Sequence, residues 1–178
     1  MREITAVTIP EGWAANAIVA KFSIPTKSYA FKPQDPFDFV FHCRTYPKLH
    51  NNEPLGRINL VSHGSPTGFQ IGSHWVSNKN IGDYTGHFAT VREVLTGQSF
   101  VHIQGCSVGQ NDELLKKMAA AFGVPVYAGE GYENVLYGLN TGDIKVAYPS
   151  GTVATAQRPD TPDDDDHTPV ELGSYQSS

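Results

Sequence analysis

Read along its apolar positions, the chain changes character near residue 57. Before that point Ile4 to Ile9 alternates weakly, which predicts a strand. Pro10, Gly12, Pro25, Pro33, Pro36, Pro47 and Pro54 then interrupt the pattern. Within this stretch Phe37, Phe39 and Phe41 recur at every second position, so residues 37–43 read as a strand. From residue 57 the pattern becomes regular. Arg57 to Val61 is a short apolar strand that runs into Ser62-His63-Gly64-Ser65-Pro66. Residues 68–76 read as a hairpin, with Gly72-Ser73 suited to a tight turn. Tyr84, Phe88, Val91, Val94 and Leu95 fall at helical spacing, which predicts a helix over 83–95 ended by Gly97.

A second apolar strand, Phe100 to Gln104, leads into Gly105-Cys106-Ser107-Val108-Gly109. A helix follows from about Asn111. Asn111 is a good N-cap, and Asp112 and Glu113 suit the positive end of the helix dipole. Leu114, Leu115, Met118, Ala119 and Phe122 form its apolar stripe, Gly123 stops it and Pro125 forbids continuation. Val124 to Ala128 is a third strand, so residues 100–128 read as strand, helix and parallel strand. Residues 142–154 read as a hairpin turning at Pro149-Ser150-Gly151. Beyond Ala156 the apolar pattern is lost, and Asp163 to Asp166 form an acidic run. The expected organisation is one α/β domain over 1–156, with 1–56 the least legible part, and an acidic, disordered tail over 157–178.

Composition narrows the function classes. The chain of 178 residues carries a net charge of −5, which argues against broad nucleic-acid binding, since that needs a basic face. Two cysteines, Cys43 and Cys106, are too few for a disulfide framework or a cysteine-only zinc site. The histidines have no zinc-ligand spacing, and no glycine loop fits a phosphate-binding pattern, so neither a metal nor a cofactor is expected. No apolar run is long enough to span a membrane. No secretory signal is visible at the N-terminus, so the default expectation is the cytoplasm; export as an effector or toxin domain stays open.

Two side chains stand out by context. His63 and Cys106 each lie just past the carboxyl end of an apolar strand, where the ligand crevice of an open parallel sheet is found. If the two strands are neighbours, both residues reach the same rim. A nearby imidazole and the start of the following helix would favour the Cys106 thiolate. Gly64 and Gly105 leave room for a substrate, and the amides of Gly64 and Cys106 are candidates for an oxyanion hole.

These segments resemble a known family. Leu60-Val61-Ser62-His63-Gly64-Ser65 is similar to the strand–His–Gly motif of caspase-fold cysteine peptidases, and Phe100 to Ser107 to their strand–small–Cys motif. Caspases carry Gln-Ala-Cys with the histidine about 50 residues upstream. Here Gln104-Gly105-Cys106 stand in that order, downstream of His63. The closer resemblance is to bacterial CHAT-type and toxin-processing caspase-like domains, over about residues 57–154. The resemblance implies a three-layer α/β fold: a central, mostly parallel sheet flanked by helices, with a C-terminal hairpin. It also implies a Cys–His endopeptidase acting on a protein or peptide substrate, with Cys106 as nucleophile and His63 as acid and base.

For the substrate pocket the residues offer Glu130, which follows the third strand and would favour Lys or Arg before the cut. His74, on the hairpin beside the expected rim, and Asp112 are further candidates, although the helix dipole accounts for Asp112 without a substrate. Asp143 competes, and turn chemistry explains it. Two other readings stay open at this stage: an inactive caspase-fold binding or regulatory module, and an unrelated α/β domain that binds a small ligand at the same rim. An activating partner or a longer parent chain is also left open.

Overall fold

Two apolar strands, β3 (Leu55–Ser62) and β7 (Leu95–Gln104), pair in parallel near the centre of a seven-stranded sheet. In the computed structural model, residues 1–8, 28–134, 139–157 and 159 are described. The other members of the sheet are β1 (Arg2–Thr8), β2 (Ser28–Phe31), β8 (Val126–Gly129), β11 (Ile144–Ala147) and β12 (Val153–Ala156). Their order is β12-β11-β8-β7-β3-β1-β2. The first five strands in sequence are mutually parallel, and the terminal hairpin β11–β12 is antiparallel. The architecture is mixed α/β, a central mostly parallel sheet flanked by helices, as the resemblance noted above implies.

Three helices, α1 (Pro36–Leu49), α2 (Gly82–Thr90) and α3 (Asp112–Phe122), pack together. The rings of Phe39, Phe88 and Phe122, one from each helix, meet with centroids 5.0–6.4 Å apart. In the same apolar core lie Ile4 and Ala6 of β1, Ile58 and Leu60 of β3, Val101 and Ile103 of β7, and Val126 and Ala128 of β8. These are alternate positions on each strand, so they share one face of the sheet.

The intervening positions are polar yet buried: Glu3, Thr5, Arg57, Asn59, His102 and Gln104. They hydrogen-bond to one another across three strands. Arg57 Nε donates to Asn59 Oδ1 at 2.7 Å and Asn59 Nδ2 donates to Thr5 Oγ1 at 3.1 Å and to Glu3 Oε1. The guanidinium Nη2 of Arg57 lies 3.3 Å from His102 Nδ1. Burial pushes the Glu3 carboxyl above its ordinary value, against the pull of Arg57 and the Asn59 hydrogen bond.

Residues 37–43 are not a strand: they form the first half of α1. The reason is local. Asp35 caps the helix by accepting from Phe37 N and Asp38 N at 2.8 Å, and Pro36 stands in the first turn, where its missing N–H is not needed. The buried residues Phe39, Val40, Cys43, Tyr46 and Pro47 follow the helical period, whereas Phe37 and Phe41 are exposed. Cys43 is fully buried, and burial pushes its thiol far above the ordinary range.

The other elements follow the expected pattern with small differences at their ends. The 83–95 helix is α2 followed by a 3-10 turn over Val91–Val94, and Leu95 already belongs to β7. Asn111 caps α3 by accepting from Leu114 N, and Gly123 ends it at φ +71°. The predicted hairpin over 68–76 is β5 (Gly68–Ile71) and β6 (His74–Ser77), and β4 (Gly64–Ser65) pairs with β5 to form a small three-stranded sheet. The predicted acidic tail lies outside the described residues apart from Gln157 and Pro159, and so does the expected continuation of β1 at Ile9. No described helix is long and apolar enough to cross a membrane.

His42, on α1, packs against the rings of Phe31 and Tyr29, with its Nε2 3.6 Å from Asp38. Burial holds its pKa below the ordinary 6.5, although Asp38 pulls the other way. The unfolded chain therefore binds the proton more readily. The stabilising contribution is present above pH 6.5 and is lost as pH falls through the lower folded value. In His42→Phe, the decline of thermal stability on acidification below pH 6.5 should become shallower, as read from melting curves.

Candidate functional site

The pairing of β3 and β7 sets the geometry of the rim. Their register runs Arg57 to Phe100, Ile58 to Val101, and so on to Val61 opposite Gln104. The pairing ends there; Ser62 and His63 continue one chain and Gly105 and Cys106 the other, into two adjoining turns. His63 is exposed and Cys106 half-buried. A Cβ on Gly105 would lie 3.3 Å from both Ser62 O and Ser62 Oγ. A Cβ on Gly64 would lie 2.9 Å from Gly105 C and from Cys106 O, and 2.5 Å from Val108 Cγ2. The two post-strand turns are thus in backbone contact, and Gly64 is the residue that permits it.

The amide directions follow from the ladder. Gln70 N donates to His63 O at 3.0 Å, which makes His63 and Gln70 the hydrogen-bonded pair. Gly64, opposite Phe69, is then in a non-hydrogen-bonded position, and its N–H is directed away from β5. Ser107 N instead donates to Gly131 O at 2.8 Å and so has no proton to offer a substrate. Ser107 is left-handed, at φ +58°, a conformation that costs a non-glycine residue about 1–2 kcal/mol.

The turn that carries Cys106 is anchored on its far side by the end of β8. Gly109 packs so closely that its Cβ would lie 2.7 Å from Ala128 O, and Gln110 Nε2 donates to Glu130 O at 2.7 Å. Glu130 therefore adjoins the Cys106 turn. It is half-buried, and its carboxylate lies 3.8 Å from Lys145 Nζ on β11. The turns that carry His63-Gly64, Cys106 and Glu130 are accordingly neighbours along their backbones.

His74 is exposed at the tip of the β5–β6 hairpin, opposite Ile71, where Ser73 N donates to Gln34 O at 3.0 Å. The Gly68–Ser77 end of that hairpin, not the tip, adjoins β4. Asp112 is exposed in the first turn of α3, beside the cap Asn111, whose Nδ2 donates to Pro66 O at 2.9 Å. The Asp143 carbonyl accepts from Glu130 N at 2.8 Å, which continues the β8–β11 ladder by one position. His87 stands edge-on to Phe37 at the surface. Among the described residues no three His, Cys, Asp or Glu side chains gather as metal ligands would.

Sequence pattern does not single out Ser107 or the crossing of chain at Gly129, Gly131, Asn140 and Gly142. The available signal was the spacing of the glycines, since close backbone approach demands residues without a Cβ.

Comparison with known proteins adds a family. Residues 44–152, more than half of the chain, match the family model described as "Domain of unknown function (DUF4347)"; the span includes both His63 and Cys106. No curated protein matches. Among solved structures the chain is similar to a secreted C11 cysteine protease from Bacteroides thetaiotaomicron in complex with an irreversible peptide inhibitor. That match has a TM-score of 0.47 and 8% identity, over 80% of this chain and 51% of that one. It is also similar to a conserved hypothetical protein from Sinorhizobium meliloti 1021, with a TM-score of 0.37 and 12% identity, over 83% of this chain and 47% of that one. The chain spans about half the length of each of these two proteins.

The close packing at Gly64 gives a direct test. Gly64→Ala should destabilise the protein by about 1–3 kcal/mol, because the new methyl meets Val108 and the Cys106 backbone. Denaturant melts of the two proteins measure this.

Proposed function

The chain belongs to the DUF4347 family, and we propose that it is a cysteine endopeptidase working through a Cys106–His63 dyad. The observation that supports this reading is the parallel pairing of β3 and β7, at whose carboxyl ends the turns bearing His63 and Cys106 come into contact at Gly64. The half-buried thiol and the exposed imidazole both stand where a substrate can arrive. Gly64 and Gly105 do not leave the room for a substrate that the sequence suggests; they let the two turns pack together, since a Cβ on either would meet Val108 and neighbouring backbone.

In the proposed mechanism His63 takes the thiol proton, directly or through water, and the Cys106 thiolate attacks the scissile carbonyl carbon. The carbonyl electron pair moves to oxygen, and the N–H groups of Gly64 and Cys106 stabilise that charge. As the C–N bond breaks, the imidazolium gives its proton to the leaving amine, leaving a thioester on Cys106. Water, deprotonated by His63, attacks the thioester, and the acid product leaves with the thiol restored. Glu130 is the proposed partner for a Lys or Arg side chain before the cut. Such a side chain would share the carboxylate with Lys145, which lies 3.8 Å from it.

Cys106→Ala and His63→Ala should each lower peptide cleavage by at least a hundredfold with little change in melting temperature, since both residues lie on turns rather than in the core. A chloromethyl ketone peptide ending in Arg should label the native protein at Cys106. Cleavage or labelling that persists in Cys106→Ala removes Cys106 from the nucleophile role. A cleavage profile over a peptide library reads side-chain preference. Preference for Lys and Arg should weaken in Glu130→Gln, and an unchanged profile would remove Glu130 from the pocket.

A further inference from the structure

The turn that carries Cys106 rests on a crossing of chain whose tie, Asn140, has no part in the proposed chemistry. After β8 the chain leaves the sheet at Gly129, passes through β9 (Glu133–Asn134) and β10 (Leu139–Asn140), and returns at Gly142 to enter β11. The outgoing and returning strands of this crossing touch backbone to backbone. A Cβ on Gly142 would lie 2.6 Å from Gly131 N, and a Cβ on Gly129, Gly131 or Gly142 would collide with the opposite side.

Asn140 ties the crossing together. Its Oδ1 accepts from Gly131 N at 3.1 Å on one side and from Gly142 N at 2.9 Å on the other. Its Nδ2 donates to Glu133 Oε2 at 2.8 Å and lies 3.5 Å from Gly131 O. One amide side chain thus fixes both faces of the Gly131 peptide region. The same Gly131 carbonyl accepts from Ser107 N at 2.8 Å. Ser107, next to Cys106, is in the left-handed region at φ +58°, a conformation held only when its surroundings over-determine it. Among the described groups, the Gly131 carbonyl is the acceptor that fixes the Ser107 amide.

We propose that Asn140 is a positioning residue for Cys106: by locking the Gly131 carbonyl it holds Ser107 left-handed and keeps the Cys106 thiol at the rim. As a statement about catalysis this rests on the dyad reading; as a statement about thiol placement it stands on the hydrogen bonds alone. Asn140 itself touches neither substrate nor the reacting atoms. Loss of its side chain frees the Gly131 peptide, lets Ser107 relax and moves the sulfur by a distance that matters to attack geometry.

The test is the second-order rate of Cys106 alkylation by iodoacetamide across pH, read by mass spectrometry at Cys106, alongside kcat and KM for a cleavable peptide. Cys43 is fully buried and does not compete. Asn140→Ala should lower the alkylation rate and kcat about tenfold, with KM and melting temperature little changed. The double variant Asn140→Asp, Glu133→Gln keeps the two bonds accepted by the side-chain oxygen and the contact to residue 133 but sets an acceptor against Gly131 O, so alkylation should stay slow; full recovery would overturn the lock on that carbonyl. A purely structural role would move the melting temperature and leave the pH profile of alkylation alone. An unchanged alkylation profile in Asn140→Ala, with alkylation slowed in His63→Ala, overturns the Asn140 proposal and leaves the dyad standing. Unchanged alkylation in His63→Ala overturns the dyad, while the Asn140→Ala rate still decides whether Asn140 places the thiol.

Discussion

The parallel pairing of β3 with β7 is the constraint on which the rest depends. From Arg57 opposite Phe100 to Val61 opposite Gln104 the register is uninterrupted; an irregularity is confined to the Leu55–Arg57 end, far from the rim. A slip of one residue would exchange the two faces of a strand. Here both faces resist it. One carries Ile58, Leu60, Val101 and Ile103 into the apolar core, and the other carries Arg57, Asn59, His102 and Gln104 into a buried hydrogen-bonded seam. A slipped strand would bury charge against apolar side chains and strand polar groups without partners. The register is therefore specified twice, and with it the side-by-side start of the two turns that carry His63 and Cys106.

Around this pair the fold supplies two flanks. On the β3 side, Gly64 closes against the Cys106 backbone, and Asn111, the cap of α3, reaches across to Pro66. On the β8 side, Gln110 and Ser107 bond to the carbonyls of Glu130 and Gly131. The turn bearing the thiol is thus clamped between neighbours on both sides of β7. Pre-organisation of this kind is what a nucleophile needs, because attack geometry set in the folded state need not be reached during the reaction.

How far the sequence is legible depends on the range of the interaction that decides each element. The α3 helix was legible because its cap, stripe and stop are local: Asn111, Leu114 to Phe122 and Gly123. The hairpins and the central strands were legible for the same reason. Residues 37–43 misled because three phenylalanines at alternate positions imitate a strand, while the deciding signal was Asp35-Pro36 just before them. The placement of His63 and Cys106 at strand ends was legible. The left-handed Ser107 and the Glu130–Lys145 pair were not, because each depends on a residue far along the chain that tertiary packing brings near; nor was the crossing at Asn140, whose partners are near in sequence but follow no regular period.

The central claim concerns distance, so the most direct measurement is the separation of Cys106 Sγ from the nearer His63 ring nitrogen in a crystal structure with a peptide bound. The expected result is a separation within direct hydrogen-bond reach or one bridging water, below about 7 Å, with both side chains on the same side of the rim. A separation beyond about 7 Å, with the two side chains on opposite faces of the sheet, would contradict it.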